Sequence, residues 1–477
     1  MRCTKIVCTI GPASSSDKVL EGLIRAGMNV ARLNFSHGDY ASHRRVIRKI
    51  RHFERKLDQP VAVLQDLPGP KIRIGAVAGD RVRLQNRRPF VLTTQKILGS
   101  ELAVSVNFSG LTEAVNKGDP ILLGDGEIEL ETVEVGDREV KCRIVVGGIL
   151  GSHKGIHFPK SSLNIRALTR HDKQDMAFGI AQNVDMVALS FVRDAEDILY
   201  ARRDLKKRGA SIPLIAKIEK AEAIEHLDEI IAAADGIMVA RGDLGVETSV
   251  ELVPVYQKRI IDRSIDAGKM VITATQMLQS MVNNPRPTRA EASDVANAVW
   301  DGTDCVMLSN ETAAGAYPLA AVTMMARIIE SAESGREKPL TFAKLAGKQS
   351  GRVSRALCEA AAYAAEELGT SVTAVFTASG LMARRLSSLR PDQRIIALTH
   401  KPEVLSELSL IWAVEPLLTK ESRTTEEMLK HGEETLLEAG SVRPGEIIVV
   451  MAGRLSGLGL SSSVTIFTVA GNLGPTR

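Results

Sequence analysis

The sequence predicts an α/β protein: a (β/α)8 barrel of the TIM type, with an all-β domain inserted after the third strand and an α/β domain at the C-terminus. Eight short apolar runs alternate with helix-like segments, and eight parallel strands are the number that closes such a barrel. A stretch without helical periodicity interrupts the alternation, and a second set of strand and helix patterns follows. An open, doubly wound sheet is the alternative architecture.

The predicted elements follow in a regular order. Three barrel strands, at residues 5–10, 29–33 and 61–65, precede the interruption, with helices predicted over residues 17–26 and 43–57. Apolar strands alternating with helices indicate a parallel sheet that is covered on both faces. The five later strands are predicted at residues 186–191, 214–218, 236–240, 270–274 and 305–308.

These patterns divide the 477 residues into three expected domains. The barrel is expected to comprise residues 1–70 and 160–335 as one discontinuous domain. Residues 71–159 contain short alternating runs broken by Gly-Asp turns, which predict a small inserted β-barrel. After a polar stretch, residues 345–477 are expected to form the C-terminal α/β domain.

The composition argues against several classes of function. Lys and Arg number 61 against 57 Asp and Glu, and only 4% of residues are aromatic, so no nucleic-acid partner is expected. No apolar run reaches transmembrane length without a charge, so no membrane contact is expected. The five cysteines are scattered and odd in number, and the chain starts without an apolar leader. These features predict free thiols and a cytoplasmic location.

Polar side chains cluster where the predicted barrel strands end. The carboxyl ends of the strands of such a barrel form one mouth, and catalytic groups lie there. We therefore expect these side chains to share a site. They are Arg32, Asn34, Ser36 and His37 after the second strand, Asp66 after the third, Lys217 and Glu219 after the fifth, Gly242 and Asp243 after the sixth, Thr275 after the seventh, and Ser309 and Glu311 after the eighth.

Lys217, Glu219 and Asp243 indicate phosphoryl transfer assisted by a divalent metal. Lys217 and Glu219 are two residues apart, so their side chains point the same way from an extended strand. A lysine can bind phosphoryl oxygens, and two carboxylates can hold Mg²⁺ together with substrate oxygens. Gly242 starts a turn whose backbone N–H groups could approach a substrate carboxylate. The alternative for Lys217 and Glu219 alone is a structural ion pair.

Nine segments together resemble the pyruvate kinase family. They occur in the family's order and cover the barrel almost throughout, whereas the insert matches mainly at Lys154, Gly155 and Pro159 and the last domain matches weakly. The segments are TKIVCTIGPAS (4–14), MNVARLNFSHG (28–38), GPKIR (69–73), DMVALSFVR (185–193), IAKIEK (215–220), DGIMVARGDLGVE (235–247), VITATQML (271–278), PTRAEASDVANAV (287–299) and MLSNETAAGAYP (307–318).

The resemblance implies transfer of the phosphoryl group of phosphoenolpyruvate to ADP, giving pyruvate and ATP, with Mg²⁺ (or Mn²⁺). It implies that Lys217 stabilises the transition state and that Glu219 and Asp243 hold the metal. It also implies an insert that closes as a lid and a regulatory C-terminal domain. The remaining implied roles are Arg32 and Arg73 at phosphoryl oxygens; Gly242, Asp243 and Thr275 at the substrate carboxylate; Asn34, Ser36, His37, Arg73 and Lys154 along the nucleotide; and Thr275, with Ser309 and Glu311 through water, where the enolate gains its proton.

The chain departs from the family at its monovalent-cation site. Members that need potassium have a Glu where this chain has Lys71, and usually an Asp-Thr pair where it has Asp66 and Leu67. Asn34, Ser36 and Asp66 remain as a residual site, but Leu67 has no side-chain oxygen, and the Lys71 ammonium could replace the cation. The resemblance to the potassium-independent type therefore predicts that K⁺ is not required. The alternative is that Lys71 only points to solvent.

An effector site is expected at Thr377, Ser379 and Gly380, which precede a helix as phosphate-binding loops do. Ala378 and Leu381 stand where the family has a Lys and an Arg. A sugar-phosphate or nucleotide-monophosphate effector and a vestigial site therefore both stay open.

Two other functions also stay open. One is another barrel enzyme acting on phosphoenolpyruvate or pyruvate, such as an aldolase with Lys217 as a Schiff base. The other is a catalytically silent homologue. The family further implies a homotetramer.

Overall fold

The computed structural model describes residues 2–124, 126–159, 165–335, 352–452 and 463–470. In chain order the strands are β1 (Lys5–Thr9), β2 (Val30–Asn34), β3 (Ala62–Leu67), β4 (Arg81–Arg83), β5 (Pro89–Thr93), β6 (Ala103–Ser105), β7 (Pro120–Leu123), β8 (Ile128–Val135), β9 (Glu139–Val146), β10 (Ile149–Gly151), β11 (Ile156–His157), β12 (Met186–Leu189), β13 (Leu214–Ile218), β14 (Gly236–Ala240), β15 (Met270–Ala274), β16 (Cys305–Leu308), β17 (Val372–Phe376), β18 (Arg394–Thr399), β19 (Val414–Leu418), β20 (Ile447–Ala452) and β21 (Ser463–Thr468). The α-helices are α1 (Asp17–Arg25), α2 (Tyr40–Leu57), α3 (Arg170–Ala181), α4 (Ala195–Lys207), α5 (Ala221–Glu225), α6 (Leu227–Ala233), α7 (Arg241–Glu247), α8 (Val253–Asp266), α9 (Arg289–Trp300), α10 (Asn310–Ala313), α11 (Pro318–Ser334), α12 (Arg352–Glu367), α13 (Leu381–Ser388), α14 (Pro402–Leu408) and α15 (Thr425–Glu438).

Eight parallel strands close into the predicted barrel. Their order around the ring is β1-β16-β15-β14-β13-β12-β3-β2, so the closed barrel is confirmed and the open-sheet alternative is wrong. The register pairs Asn34 of β2 with Asp66 of β3, which places two predicted site residues side by side at the carboxyl ends of their strands. All eight strands therefore deliver their last residues to one mouth.

Alternation along the barrel strands builds two separate cores. In β1, Ile6 and Cys8 pack outward among the surrounding helices, whereas Val7 packs inward with Val30 and Leu64. This period of two is what an extended strand with two apolar faces requires. Because both faces are filled by apolar side chains, polar groups find room only where the strands end.

The insert is all-β, as predicted. Its strands form a six-stranded sheet, β11-β7-β8-β9-β5-β6, and a two-stranded sheet, β10-β4. Residues 72–75 hydrogen-bond to both outer strands of the larger sheet: the Gly75 N–H donates to the Ser105 carbonyl of β6 at 2.7 Å, and the Ile72 carbonyl accepts the Ile156 N–H of β11 at 3.2 Å. The insert's own core includes the fully buried side chains of Phe90, Leu92 and Leu130.

The C-terminal unit is a sheet in the order β19-β18-β17-β20-β21, parallel except for β21. Helices α12 to α15 alternate with these strands along the chain, as an α/β domain requires. The predicted start of this domain, residue 345, lies outside the described residues.

Two predictions from composition can be compared with the structure. The five cysteines are free, and all but Cys3 are buried, as predicted. Across the described ranges, no helix combines the length and the apolar character needed to cross a membrane.

Candidate active site

A buried network of four charged side chains lies at the barrel mouth. Arg32 Nε donates to Asp66 Oδ2 at 2.6 Å. Lys217 Nζ lies 3.2 Å from Asp66 Oδ1 and 2.9 Å from Glu219 Oε1. Lys217 and Glu219 do point the same way, and the pair is part of a larger network because Asp66 binds both cations. Strands β2, β3 and β13 thus bring together residues that are far apart in sequence.

The network keeps Lys217 charged. Burial alone would lower the pKa of Lys217, but the carboxylates of Asp66 and Glu219 outweigh it, and this pKa lies above its ordinary value. Burial alone would likewise raise the pKa of Asp66, yet Lys217 and Arg32 hold it below its ordinary value. An ammonium that is fixed and permanently charged therefore lies at the mouth of the barrel.

Glu219 and Asp243 form a second feature, a pair of nearby carboxylates. Burial, together with the charge of Asp243, raises the pKa of Glu219 even though Lys217 acts in the opposite direction. The Phe191 N–H donates to Glu219 Oε2 at 2.8 Å. The negative charges of the two carboxylates repel each other. A divalent cation bound between them would relieve this repulsion.

The carboxylate pair suits a metal that also binds substrate. The described residues contain no group of three or more His, Cys, Asp or Glu side chains that could hold a metal ion. Mg²⁺ commonly takes one or two protein carboxylates and completes its shell with water and phosphate oxygens. Glu219 and Asp243 match that ligand set.

Thr275 and Gly242 are joined at the ends of β15 and β14. Gly242 N–H donates to Thr275 Oγ1 at 2.8 Å, and Thr275 has a φ of +71°, in the left-handed region that a β-branched residue rarely adopts. Arg241 donates to the carbonyl oxygens of Thr275 at 2.7 Å and Ala274 at 3.2 Å. Its guanidinium also pairs with Asp294 at 2.6 Å. Arg241 therefore holds the strained backbone beside Gly242.

Ser309 and Glu311 meet at the end of β16. Glu311 is fully buried, and its carboxylate accepts the N–H groups of Ser309 at 2.7 Å and Leu278 at 3.1 Å. The Ser309 hydroxyl is buried and has no protein hydrogen-bond partner among the described residues. Glu311 thus connects β16 to the segment that follows Thr275, and the Ser309 hydroxyl remains able to bind a water molecule or substrate.

The turn after β2 carries Asn34, Ser36 and His37. Asn34 Oδ1 accepts the Ser36 N–H at 3.0 Å. Burial lowers the pKa of His37, and the charges of Arg73 and Lys71 lower it further. The structure therefore brings the two cations of the segment after β3 close to this turn.

Lys154 and Arg73 lie side by side at the backbone of the insert. Arg73 is half-buried, and its Nη1 donates to the His153 carbonyl at 2.8 Å, so it is bound to the insert backbone. The Lys154 carbonyl accepts from Ile74 N–H at 3.0 Å, but the residue is exposed on the insert.

Two residues of the residual monovalent-cation site, Leu67 and Asp66, make other contacts in the structure. Leu67 is fully buried, and its carbonyl accepts the Ser190 hydroxyl at 2.7 Å. Both carboxylate oxygens of Asp66 bind the cations of the charged network. Lys71 is exposed, and its charge acts on His37.

The expected effector loop lies at the start of α13. Thr377 is half-buried, Ser379 is exposed, and Gly380 precedes the helix with a φ of +72°. Arg384, which the sequence analysis did not consider, donates to the Ser379 carbonyl at 2.6 Å and to Glu407 at 3.2 Å. The loop therefore does have a basic neighbour, although that residue is already paired.

Comparisons with known proteins agree with this geometry. Residues 1–322 match the family model described as the pyruvate kinase barrel domain, and residues 355–466 match the pyruvate kinase alpha/beta domain. The chain belongs to the pyruvate kinase family. The predicted fold, the predicted function and the assignment as a phosphotransferase are confirmed, and the relatives support pyruvate kinase activity.

The pyruvate kinases to which the chain is similar span nearly its whole length. It is 45% identical over 467 residues to pyruvate kinase 2 of Synechocystis, covering 97% of this chain and 78% of the relative. It is 41% identical over 469 residues to the pyruvate kinase of Thermotoga maritima, covering 98% and 100%. A crystal structure of a pyruvate kinase from Cryptosporidium parvum matches with a TM-score of 0.92 at 35% identity, covering 98% of this chain and 96% of that one.

Two residues of the charged network were not predicted from the sequence. Ser190 follows β12 and accepts from Lys217 Nζ at 2.7 Å, and Thr9 ends β1 and accepts from Arg32 Nη1 at 2.8 Å. Each lies at the carboxyl end of a barrel strand, where catalytic groups are expected. Both fall inside the strands predicted over residues 5–10 and 186–191, so the predicted strand ends lie beyond them.

Proposed function

We propose that the chain transfers the phosphoryl group of phosphoenolpyruvate to ADP, giving pyruvate and ATP, with Lys217 at the migrating group. The observation that carries this proposal is the buried, charged Lys217 held between Asp66 and Glu219. Phosphoryl transfer spreads negative charge over the phosphoryl oxygens, and a preorganised ammonium stabilises that charge without reorganising. Arg32, fixed on Asp66, supplies a second cation for those oxygens.

Glu219 and Asp243 would hold the Mg²⁺ (or Mn²⁺). When bound, the metal would polarise substrate oxygens and neutralise developing charge. The mutual repulsion of the two carboxylates supports this assignment, since a cation between them removes it.

The carboxylate end of the substrate is assigned to Gly242, Asp243 and Thr275. The Gly242–Thr275 hydrogen bond keeps these segments together and supports the grouping. The proton for the enolate is assigned to Thr275, with Ser309 and Glu311 acting through water. The free Ser309 hydroxyl supports this route, because a bound water would satisfy it.

ADP is assigned to the space between the turn after β2 and the insert. Residues 71–159 would act as a lid on the barrel formed by residues 1–70 and 160–335, and closure would exclude water from the reaction. The exposed position of Lys154 supports a moving lid, because this side chain must approach the mouth to bind a phosphate. The proposed nucleotide contacts are Asn34, Ser36, His37, Arg73 and Lys154.

Substitution of Lys217 tests the central assignment. We expect Lys217→Met to lower kcat roughly a thousandfold with a much smaller change in the KM for phosphoenolpyruvate, because the ammonium acts mainly on charge that develops in the transition state. The measurement is steady-state pyruvate formation. Lys258→Met, which removes an exposed lysine of α8 paired with Asp301, is the matched control and should keep full activity. A folded Lys217→Met enzyme with unchanged turnover would support a silent role for this site.

The aldolase alternative requires an uncharged Lys217. The raised pKa of Lys217 disfavours it, because a protonated amine cannot attack a carbonyl. Borohydride with pyruvate should therefore trap no covalent adduct on this lysine.

Activity is expected to be independent of potassium. The buried Leu67 offers no side-chain oxygen, the Asp66 oxygens are taken by cations, and Lys71 adds positive charge near His37. We expect kcat in sodium-only buffer to lie within about twofold of kcat in potassium buffer, because no step gains charge stabilisation from the ion. Strong activation by potassium would contradict this proposal.

The regulatory assignments are proposals of the same kind. A sugar phosphate or nucleotide monophosphate is assigned to Thr377, Ser379 and Gly380, supported by the N-terminus of α13 and by Arg384 one turn later. A homotetrameric enzyme in the cytoplasm is proposed by analogy with the family. An activity screen with phosphorylated metabolites tests the first proposal, and sedimentation of the purified enzyme tests the oligomer.

A further inference from the structure

A three-residue network joins the insert to the barrel away from the reacting groups. His157 lies in β11, Glu247 ends α7, and Lys220 comes directly after Glu219. His157 Nδ1 is 3.0 Å from Glu247 Oε1, and Lys220 Nζ is 3.1 Å from Glu247 Oε2. We call His157, Glu247 and Lys220 the latch.

The bonds of the latch are buried and charge-assisted. Glu247 is only 6% exposed and His157 9%. Burial alone would raise the pKa of Glu247, but the bond from His157 and the charge of Lys220 hold it below its ordinary value. An ionised carboxylate only accepts hydrogen bonds, so Nδ1 of His157 carries the proton and donates. Removing that donor leaves a buried carboxylate with one bond fewer, which is costly.

The latch lies at the hinge of the insert. The chain enters the insert after residue 70 and leaves it through β11, and these two crossings touch where Ile156 N–H donates to the Ile72 carbonyl at 3.2 Å. A cavity of about 40 Å³ separates the crossings from the barrel, lined by Ile72, Phe158 and Phe191 together with the latch. The latch therefore lies beside a gap in the packing, and its bonds tie β11 to α7 across this junction.

We propose that the latch is a positioning device for the nucleotide half of the active site. His157 anchors β11 two residues after Lys154–Gly155, and the proposed function, on which this inference rests, assigns Lys154 to ADP. Glu247 lies at the end of α7 opposite to the segment that holds the substrate carboxylate. Breaking the bond between His157 and Glu247 releases the insert and leaves the charged network around Lys217 in place. ADP binding should then suffer more than phosphoenolpyruvate binding or the chemical step.

Two substitutions at His157 separate the hydrogen bond from the packing. His157→Phe keeps a ring in the site and removes the donor, whereas His157→Gln keeps an N–H donor. We expect His157→Phe to raise the KM for ADP about tenfold, with kcat and the KM for phosphoenolpyruvate changed less than about twofold, and His157→Gln to stay near the parent values. Lys141→Met is the control, because it removes an exposed ion pair with Glu134 on the same insert.

A double-mutant cycle tests whether His157 acts through Glu247. Glu247→Met alone should raise the KM for ADP, and adding His157→Phe to it should raise it little further, because each change removes one partner of the same hydrogen bond. Faster hydrogen exchange of the Ile156 amide in His157→Phe is the expected structural signature. If His157→Phe does not fold, His157→Asn gives the same comparison, since its side chain is too short to bridge.

Several results would overturn the latch. They are equal rises in the KM values for both substrates, a loss of kcat with an unchanged KM for ADP, independent effects of the two substitutions, or identical behaviour of His157→Gln and His157→Phe. A parent enzyme that forms no pyruvate would instead overturn the proposed function, so the two failures are distinguishable.

Discussion

The charges around Lys217 would favour the binding of both a divalent metal and a phosphorylated substrate at the barrel mouth. Lys217 and Arg32 carry two positive charges, and Asp66 and Glu219 carry two negative charges, so the buried network is balanced. Asp243 adds one negative charge at its edge. A divalent cation would therefore be attracted to this site, and its charge would make the mouth positive and attractive to a phosphate. Neither Lys217 alone nor the carboxylates of Glu219 and Asp243 alone would attract both the cation and the phosphate.

Ser190 provides a test at the scale of one hydroxyl group. It is 2% exposed, accepts from Lys217 Nζ at 2.7 Å and donates to the Leu67 carbonyl at 2.7 Å. We expect Ser190→Ala to lower kcat about tenfold, because a bond to a charged group that orients the ammonium is lost. Steady-state pyruvate formation measures it. Ser264→Ala, at a buried serine of the outer helix α8, is the control, and equal effects of both variants would show that Ser190 contributes only packing.

At the scale of elements, the segment from β14 through α7 to β15 works as one unit. Arg241 starts α7 and reaches across to the backbone after β15, where its two donors fix the left-handed Thr275. Asp294 of α9 holds the far side of the guanidinium. A left-handed β-branched residue is costly and persists only where its surroundings impose it. Asp243, the proposed metal ligand, and the Thr275 hydroxyl are therefore positioned by the same arginine.

Arg241→Lys tests this unit. A lysine can still pair with Asp294, but one ammonium cannot replace the planar fork that also holds two carbonyls. We expect kcat to fall roughly tenfold to a hundredfold, since small displacements of reacting groups have effects of that size. In the Thr275→Ala variant, Arg241→Lys should lower kcat much less, because the hydroxyl that Arg241 positions is already absent. Arg263→Lys, an exposed arginine of α8, should behave as the parent, and a full effect in both backgrounds would contradict the role assigned to Arg241.

The bounds of the barrel strands show what periodicity can and cannot predict. Strands β13 to β16 have the predicted bounds, because each is a mainly apolar run followed directly by a charged or polar residue. Strand β12 ends at Leu189, two residues earlier than predicted, because Phe191 takes a φ of +57° with its N–H bonded to Glu219. That contact comes from another strand, and no local pattern contains it.

The same distinction between local patterns and long-range contacts applies to the residues of the candidate site. Lys217, Glu219 and Asp66 were predictable because charged residues at strand ends are conspicuous in an apolar sequence. Arg241 bonds to the Thr275 carbonyl and Ser190 bonds to Lys217, and these partners are distant in sequence, so no local pattern predicts the contacts.

At the scale of the whole molecule, the C-terminal sheet is fastened to the floor of the barrel, opposite the mouth. Arg390 pairs with Asp304 at 2.9 Å, with both side chains under 10% exposed. Lys5, the first residue of β1, donates to the Val414 carbonyl of β19 at 2.9 Å. These contacts join the C-terminal unit to the residues at the starts of β1 and β16.

Lys5 makes this junction sensitive to pH. Burial lowers the pKa of Lys5, so the folded protein releases this proton at a lower pH than the unfolded chain, whose lysines titrate near about 10.4. Between those two values the unfolded state binds more protons, and stability rises with pH. At neutral pH the buried ammonium is a cost that its bond to the Val414 carbonyl and the charge of Glu415 offset in part.

Replacing Lys5 by methionine should therefore raise stability most at neutral pH. We expect Lys5→Met to melt about 2–4 °C above the parent at pH 7, since an apolar side chain of similar length removes a buried charge. The difference should shrink as the pH rises, because the lowered pKa of Lys5 lets the folded parent lose this proton before the unfolded chain does. Thermal unfolding followed by circular dichroism at pH 7, 8.5 and 10 measures it, with Lys18→Met on the exposed face of α1 as control. A constant difference across that range would mean that the charge of Lys5 does not limit the stability of the junction.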